Sequence, residues 1–464
     1  MNRRTLIGNE MNKIKQILKN KWVGFTLMSL LYLLWFVLWT GNWWLLLGEV
    51  VIFDLYITRY FYRFVGRHNE RWCQKSRLYK FIYEWVNAII FAMVVASLIH
   101  IFIFQMYTIP TSSMEKSLLV GDYLYVSKVA YGPKMPNTPL SFPLVHHTMP
   151  GSETTKSYSE WIKWPYHRLK GLGKVKRGDA VVFNFPAGDT VLLERQNVTY
   201  YDILRMGEEQ YGKQEARRRL FNDYTVVARP VDKREHYIKR CIALPGDTLR
   251  IANSEIYING VRQEAPSERQ FFHTVVVNQP LSDYALQHLG ITEYQYNPTS
   301  GIYYMSLTHN AATALRQLKN VVSVERYSEQ GTSTAVYPHD GREGWNADNY
   351  GPIWIPKRGE TILLTPDNLA LYGRCIDVYE GNDLQVEADG TVYINGEATD
   401  RYTFQMDYYW MMGDNRHNSA DSRYWGFVPE DHVVGRAAVV WLSLDPAKKF
   451  PANIRWERMF RTVK

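Results

Sequence analysis

Trp22 to Trp39 is an eighteen-residue stretch without a charged side chain, and it constrains this chain more than any other feature. In hydrocarbon a backbone has to satisfy its own polar groups, so such a stretch folds as a helix, and this one is long enough to cross a bilayer with little tilt. Arg3, Arg4, Lys13, Lys15, Lys19 and Lys21 stand before it, which sets the N-terminus in the cytoplasm. The run is full of Trp, Leu and Phe and does not close on small residues, so it reads as a retained anchor and not as a cleaved leader. A second apolar run, 43–58, carries Glu49 and Asp54. Charges at that depth face other helices or water, and the run is either a second span or an interfacial segment. Arg59, Arg63, Arg67, Arg71, Lys75, Arg77 and Lys80 then repeat the cytoplasmic signature, which favours a hairpin of two spans. Trp85 to Phe104 has no formal charge, only His100 near its far end, and is expected to cross outward. Residues 1–106 are thus expected to be a membrane anchor, with spans near 22–39, 43–58 and 85–104 around a basic cytoplasmic loop 59–80. Residues 107–464 would lie outside the cytoplasm.

The charge balance agrees. The formal net charge of +8 is already reached by residue 84, where thirteen Lys/Arg meet five Asp/Glu. The remainder holds 41 of the 54 basic and 41 of the 46 acidic residues and is neutral. A basic excess confined to the flanks of apolar runs is a topology signal, whereas a nucleic-acid footprint is a basic face on the folded domain; nucleic acid is not expected as a partner.

Beyond the apolar runs the chain reads as mostly β. Val175 to Pro186 is a turn followed by a buried strand, and Tyr237 to Leu244 is a second apolar strand closed by Pro245-Gly246. Asn259-Gly260 and Asn395-Gly396 are hairpin signals in near-identical words, IYING and VYING. With KRGD at Lys176 and KRGE at Lys357, and KRCI at Lys239 and GRCI at Gly373, they suggest a diverged repeat of one β unit. Insertions are expected near 187–235 and 261–350. Within them Met206 to Asp223 reads as a charged exposed helix and Thr308 to Asn320 as a shorter one, both on the surface of the β domain. Cys241 and Cys375 occupy matching places in the two copies and are expected as buried thiols, with pairing the alternative. The adjacent His146-His147 suits a loop and not two metal ligands on one helix face, and no GxSxG elbow or P-loop is present.

Three stretches carry chemistry. Tyr107 to Lys128 places Thr111, Ser112 and Ser113 in a loop after Ile109-Pro110, ahead of a Gly121-Asp122 turn and an alternating strand. Alone, such a cluster reads as a cap or turn. Lys239 shares one face of its strand with Tyr237, Cys241 and Ala243. Desolvation there would lower its pKa, and a neutral lysine near a serine is a general base; an edge lysine reaching water is the alternative. Gly413 to Arg423, GDNRHNSADSR, reads as a rigid hydrogen-bonded loop, with Ser419 a candidate to hold a lysine amine and Asp421 with Arg423 a candidate brace.

The Ser113 segment, the KRGD strand, YIKRCIALPGD and GDNRHNSADSRYWGFVP stand in the order and wording of the bacterial type I signal peptidases, also called leader peptidases. The chain resembles that family over residues 105 to 441. The resemblance implies a β catalytic domain with its apolar edge on the membrane, a multi-pass inner-membrane protein with its catalytic domain on the periplasmic side, and a serine endopeptidase that removes signal peptides. Ser113 would be the nucleophile and Lys239 the general base. The Ser113 N–H and the Thr111 hydroxyl would form the oxyanion hole, Ser419 would position the lysine, and Asp421 and Arg423 would support it. Tyr107, Ile109, Met114, Leu118 and Ile238 fall where the family lines two shallow pockets, which implies exported preproteins cleaved after A-x-A-like sequences. Membrane lipids and the secretion machinery are the other implied partners, with no metal or cofactor.

The wording departs from the family at Ser112, where Gly is common, at Glu115-Lys116, where Pro-Thr is common, and at His417, where Asp is common. None of these removes a catalytic group. Gly373 in place of Lys239 suits a repeat with one catalytic copy. Self-cleaving repressor-type Ser-Lys proteases share part of the signature but would carry a DNA-binding head in place of apolar spans. A catalytically inactive membrane-anchored β scaffold is the remaining alternative.

Overall fold

The structure is a computed structural model describing residues 20–39, 43–152, 154–264 and 266–463. The basic residues Arg3, Arg4, Lys13, Lys15 and Lys19 lie outside the described residues. The chain divides into two units, Met1–Leu98 and Ile99–Lys464.

In the first unit Asn20 caps the Lys21–Tyr32 helix, its side chain accepting from the Trp22 N–H, and the helix continues as wider turns over Leu33–Leu38. A 26-residue helix, Arg77–Phe102, begins in this unit, ends four residues beyond it and has no buried residue. It is about 39 Å long by its rise, against a hydrocarbon thickness of about 30 Å. These two helices are long and apolar enough to cross a membrane. The 43–58 run is helical in three short pieces, Trp43–Leu47, Gly48–Phe53 and Asp54–Thr58. Both of its charges are engaged. Glu49 accepts from the Ser29 hydroxyl of the first helix at 2.6 Å, and Asp54 accepts from the Thr58 hydroxyl and from the N–H groups of Tyr60 and Phe61. Sixteen residues of helix rise about 24 Å, less than the thickness to be spanned.

The second unit is built on an eight-stranded antiparallel sheet. Its order runs Phe104–Thr108, Asp122–Ser127, Val433–Ser443, Ala180–Asn184, His236–Ala243, Tyr408–Met412, Val428–Pro429, with Arg461–Thr462 on the Val433–Ser443 strand. Ala180–Asn184 is buried at every position, because side chains alternate across a sheet that is covered on both faces. Val181 and Phe183 join Cys241, Met411 and Trp425 on one face; Ala180 and Val182 join Ile109, Met114, Leu118 and Leu124 on the other. The register sets Lys239 opposite Val181 and Tyr237 opposite Phe183.

Two further cores flank this sheet. Strands Thr248–Ala252, Glu255–Ile258, Val261–Arg262 and Tyr350–Trp354 form a small sheet that packs with Trp410, Phe427 and the Pro366–Arg374 helix. The stretch expected as an insertion near 261–350 holds a four-stranded sheet, Gln270–Val277, Tyr294–Asn297, Ile302–Thr308 and Val321–Arg326, with its own core of Val275, Met305, Leu307 and Leu315.

Several expectations are corrected. The charged helix over 206–223 is two helices, Tyr200–Tyr211 and Lys213–Asp223, broken at Gly212 with φ 77°, a conformation open to glycine and costly for other residues. The helix within 308–320 is His309–Leu315, capped by Thr308. The repeat fails at its centre: KRCI lies in the His236–Ala243 strand, whereas Gly373 lies in the Pro366–Arg374 helix and Cys375 opens a wider turn to Tyr379. Thr365 caps that helix and Pro366 takes its first turn, and the buried Leu371, Tyr372, Cys375 and Ile376 recur at helical spacing. Gly373 is therefore no structural counterpart of Lys239. The hairpins do correspond. Asn259 bonds both backbone groups of Thr248, and Asn395 does the same to Asp383, with all four Asn and Gly residues at positive φ. Cys241 and Cys375 are buried free thiols.

Candidate active site

The Ser113 loop is tied at its neck, where the Ile109 N–H donates to the Asp122 carbonyl and the Gly121 N–H to the Ile109 carbonyl, at 2.9 and 3.0 Å. Between these bonds Thr111 is extended and Ser112–Met114 makes one turn of 3-10 helix. Met114 and Leu118 are buried in the core beneath, so the turn is anchored from below while Ser113 faces the lysine strand.

Lys239 is 4% exposed, and its Nζ donates to Ser113 Oγ at 2.6 Å. Burial pushes the amine down to about 8, against the pull of Asp421 and Asp414 and with a small push from Arg423. A buried amine that gives up its proton so readily, in contact with a hydroxyl, can accept the proton of that hydroxyl as the oxygen attacks a carbonyl carbon. The two residues open onto a cavity of about 560 Å³, whose lining includes Tyr107, Ile109, Thr111, Ile238 and Ser419. Met114 and Leu118 are not on that lining; their side chains are turned into the core. His236, Tyr237, Asn418 and Tyr424 line it as well.

The GDNR loop closes the other side. Gly413 marks where it crosses the serine loop: a Cβ there would fall 2.2 Å from Ser419 Oγ and 2.5 Å from the Ser113 carbonyl. Ser419 Oγ is buried and, among the described residues, has no hydrogen-bond partner. It lines the cavity with Lys239 but does not hold the amine, whose bond goes to Ser113. Asp421 and Arg423 form a buried two-point ion pair, Nε to Oδ1 at 2.9 Å and Nη2 to Oδ2 at 2.8 Å, and Asp421 also accepts from the Gly413 N–H. Burial raises the Asp421 carboxyl, but Arg423 outweighs it and holds the group below the usual carboxylate range.

A second buried pair went unread in the sequence. Arg240 donates to Asp414 through Nε at 2.8 Å and Nη2 at 2.5 Å, and Ser117 Oγ adds a bond to Asp414 at 2.6 Å. Strand, serine loop and GDNR loop are thereby locked together one residue from Lys239. The signal was present: an arginine next to Lys239 on a buried strand needs an acid, and Asp414 is within the motif.

Of the four departures from the family wording, Glu115, Lys116 and His417 touch the 261–350 segment directly, and Ser112 is linked to it through two amides of the GDNR loop. Asn415 Nδ2 donates to the Ser112 carbonyl and Asn418 Nδ2 to the Ser112 hydroxyl, and both amides also donate to Glu293 Oε2, at 3.0 and 3.1 Å. Glu115 accepts from the Thr292 hydroxyl, and Lys116 donates to the Gly290 carbonyl. His417 Nδ1 accepts from the Phe272 N–H, so Nε2 carries the proton and donates to Asp348 at 2.9 Å. Burial raises the Asp348 carboxyl, but His417, Ser254 and the Glu329 N–H hold it down at about 2. Gln270 adds backbone bonds to Asp414 and Arg416. The 270–326 sheet thus packs behind the serine and GDNR loops that line the cavity.

The model of the family described as "Signal peptidase, peptidase S26" matches residues 82–290 and 358–442. The chain is 22% identical over 399 residues to "Signal peptidase I" of Haemophilus influenzae, covering 82% of this chain and 76% of that protein. It is 22% identical over 406 residues to "Signal peptidase I" of Helicobacter pylori, covering 83% and 93%. A shorter match, 34% over 104 residues, is to "Probable signal peptidase I-2" of Synechocystis, covering 18% and 47%. The family match spans the loops that carry Ser113 and Asp421 and the strand that carries Lys239, and between its ends it breaks over 291–357. This chain belongs to the peptidase S26 family of signal peptidases, as a type I member.

Proposed function

We propose that the protein is a membrane-bound endopeptidase that removes N-terminal signal peptides from exported preproteins, with Ser113 as nucleophile and Lys239 as general base. The observation that carries this reading is the 2.6 Å hydrogen bond between two buried groups that lie 126 residues apart. Neutral Lys239 takes the Ser113 proton as Oγ attacks the scissile carbonyl. The oxyanion of the tetrahedral intermediate is held by the Ser113 N–H and the Thr111 hydroxyl. The resulting ammonium returns the proton to the departing amine, leaving an ester on Ser113. Lys239 then accepts a proton from the water that attacks this ester and returns it to Ser113 Oγ as the ester C–O bond breaks, releasing the acid and the free hydroxyl. Ser419 bounds the same cavity as the amine, and the Asp421–Arg423 pair braces the loop that carries it. Tyr107, Ile109 and Ile238 would receive small side chains of an A-x-A-like sequence, with Met114 and Leu118 acting from beneath.

Residues 1–106 serve in this reading as the anchor, and 107–464 as the catalytic region outside the cytoplasm. The basic residues flanking the 43–58 run support its return through the membrane, and Glu49 bonded to Ser29 suits a run packed on a neighbouring helix. Lipids and the secretion machinery are the proposed surroundings. The test is cleavage of a preprotein by the purified full chain in detergent. Wild type is expected to cleave at the signal junction, and Ser113→Ala to remain membrane-bound and inactive. Protease added to spheroplasts should digest the region after 106 and spare the 59–80 loop. An inactive wild type would return the scaffold alternative, and an active Ser113→Ala would remove Ser113 from its role.

A further inference from the structure

Glu293 follows a turn that begins at Gly290, with φ 63°, and Ile291, which is buried in the core of the inserted sheet. It stands one residue before the Tyr294–Asn297 strand. Its position is therefore set by the inserted sheet and not by the catalytic strands. From there a single carboxylate oxygen, Oε2, receives both Asn415 Nδ2 and Asn418 Nδ2.

A side-chain amide has two N–H donors and one acceptor oxygen, and a carboxylate only accepts. Glu293 therefore decides which end of the Asn415 amide faces the serine loop. With the nitrogen held toward Glu293, its other hydrogen points at the Ser112 carbonyl, N to O 3.3 Å, as a second bond beside the one that this carbonyl accepts from the Glu115 N–H at 2.9 Å. A flipped amide would set its oxygen against that carbonyl and against the carboxylate. The orientation is kept although it leaves Asn415 Oδ1 buried without a partner among the described residues.

The Ser112 carbonyl and the Ser113 N–H belong to one peptide unit. That unit is planar and trans, so a fixed carbonyl fixes the direction of the N–H on its other side. The next unit is held too, because the Asn415 N–H donates to the Ser113 carbonyl at 3.1 Å. In the proposed mechanism the Ser113 N–H is an oxyanion donor, and such donors act through being aimed in advance at the charge of the transition state.

We propose that Glu293 is a positioning residue for this reaction: through the Asn415 amide it holds the Ser112–Ser113 peptide unit so that its N–H is set for the oxyanion. The inserted sheet is on this account a buttress for the serine loop. The inference rests on the peptidase reading above and fails separately from it.

The test is steady-state cleavage of a preprotein by the full chain with Glu293→Ala, Glu293→Gln and, as a control on the same sheet, Glu325→Gln. An oxyanion donor acts in the transition state, so Glu293→Ala should lower kcat about tenfold or more while KM stays within about twofold. Glu293→Gln keeps an acceptor oxygen of the same reach and should recover to within about threefold of wild type, and Glu325→Gln should match wild type. Should the alanine variant unfold, Glu293→Met, which keeps the stem and removes the acceptor, is read in the same way. Wild-type kcat in Glu293→Ala, a loss through KM alone, or a glutamine variant as impaired as the alanine variant overturns the proposal. Absence of cleavage by wild type itself would overturn the peptidase reading instead.

Discussion

Lys239→Met removes the amine and keeps the length and apolar stem of the side chain, and the structure sets the size and sign of its effect on stability. An ordinary lysine near 10.5 is brought to about 8 at this position, chiefly by burial. At about 1.4 kcal/mol per pKa unit, this difference of about 2.5 is a cost of about 3 to 4 kcal/mol for keeping the proton in the folded state. The direction follows from proton linkage. Below pH 8 both states are protonated and the folded state bears the whole cost. Between 8 and 10.5 the unfolded chain binds more proton than the folded one, so stability rises with pH, and above 10.5 the cost is gone. Methionine has no such dependence, but it forfeits the bond to Ser113, worth about 1 kcal/mol. The variant should therefore be inactive, about 2 to 3 kcal/mol more stable than wild type at pH 7, and about 1 kcal/mol less stable above pH 10.5. Urea unfolding of both proteins in the same micelles across this range measures the difference, in which all other titrating groups cancel. Wild-type kcat/KM should fall about tenfold per pH unit below about 8, where the neutral amine becomes scarce. A methionine variant that is less stable at pH 7 by an amount that does not change with pH would mean a charged, ion-paired lysine, and the neutral-base argument would be lost.

Thr111→Val keeps the shape of the residue that leads into the Ser113 turn and removes its hydroxyl; kcat should drop about 100-fold, in line with the loss of one oxyanion donor, with KM little changed. An unchanged kcat would put the second donor elsewhere. Gly413→Ala places a methyl within 2.2 Å of Ser419 Oγ and 2.5 Å of the Ser113 carbonyl, so the two loops have to part. Activity should be lost and the melting point should fall, by the equivalent of about 1 to 3 kcal/mol as for other overpacked sites. A fully active Gly413→Ala would show that the loops do not depend on that crossing.

How far these residues could be read from the sequence depends on whether their partners leave a local mark. Lys239 was conspicuous as a cation on an alternating apolar strand, but that strand alone read as well as an edge lysine reaching water; Asp421 with Arg423 was legible because opposite charges two residues apart in a polar loop suggest a pair. Ser113 became legible only through the order of motifs, since Thr111, Ser112 and Ser113 are equally good turn residues in isolation. The GRCI copy misled because a four-residue word was weighed above its surroundings. Thr365-Pro366 before it is a helix start, and Leu371, Tyr372, Cys375 and Ile376 have the period of a helix. Gly212 within 206–223 was likewise a visible break.

Glu293 left no mark at all. In ITEYQY it looks like an exposed residue at the start of a strand, and its partners Asn415 and Asn418 lie more than 120 residues away. The only trace of the contact was indirect, in Ser112, Glu115, Lys116 and His417, four separate departures from the family's wording. Each has the chemistry its partner requires. Ser112 supplies an acceptor to the Asn418 amide, Glu115 an acceptor to Thr292, Lys116 a donor to Gly290, and His417 a ring that accepts from Phe272 and donates to Asp348. A Gly at 112 has no hydroxyl to offer Asn418, Pro-Thr at 115–116 has neither the carboxylate nor the ammonium, and an Asp at 417 would set its charge against Asp348. Glu115, Lys116 and His417 thus meet the 261–350 segment directly and Ser112 meets it through Asn418, so that the serine loop of this chain is fitted to the sheet that this segment carries.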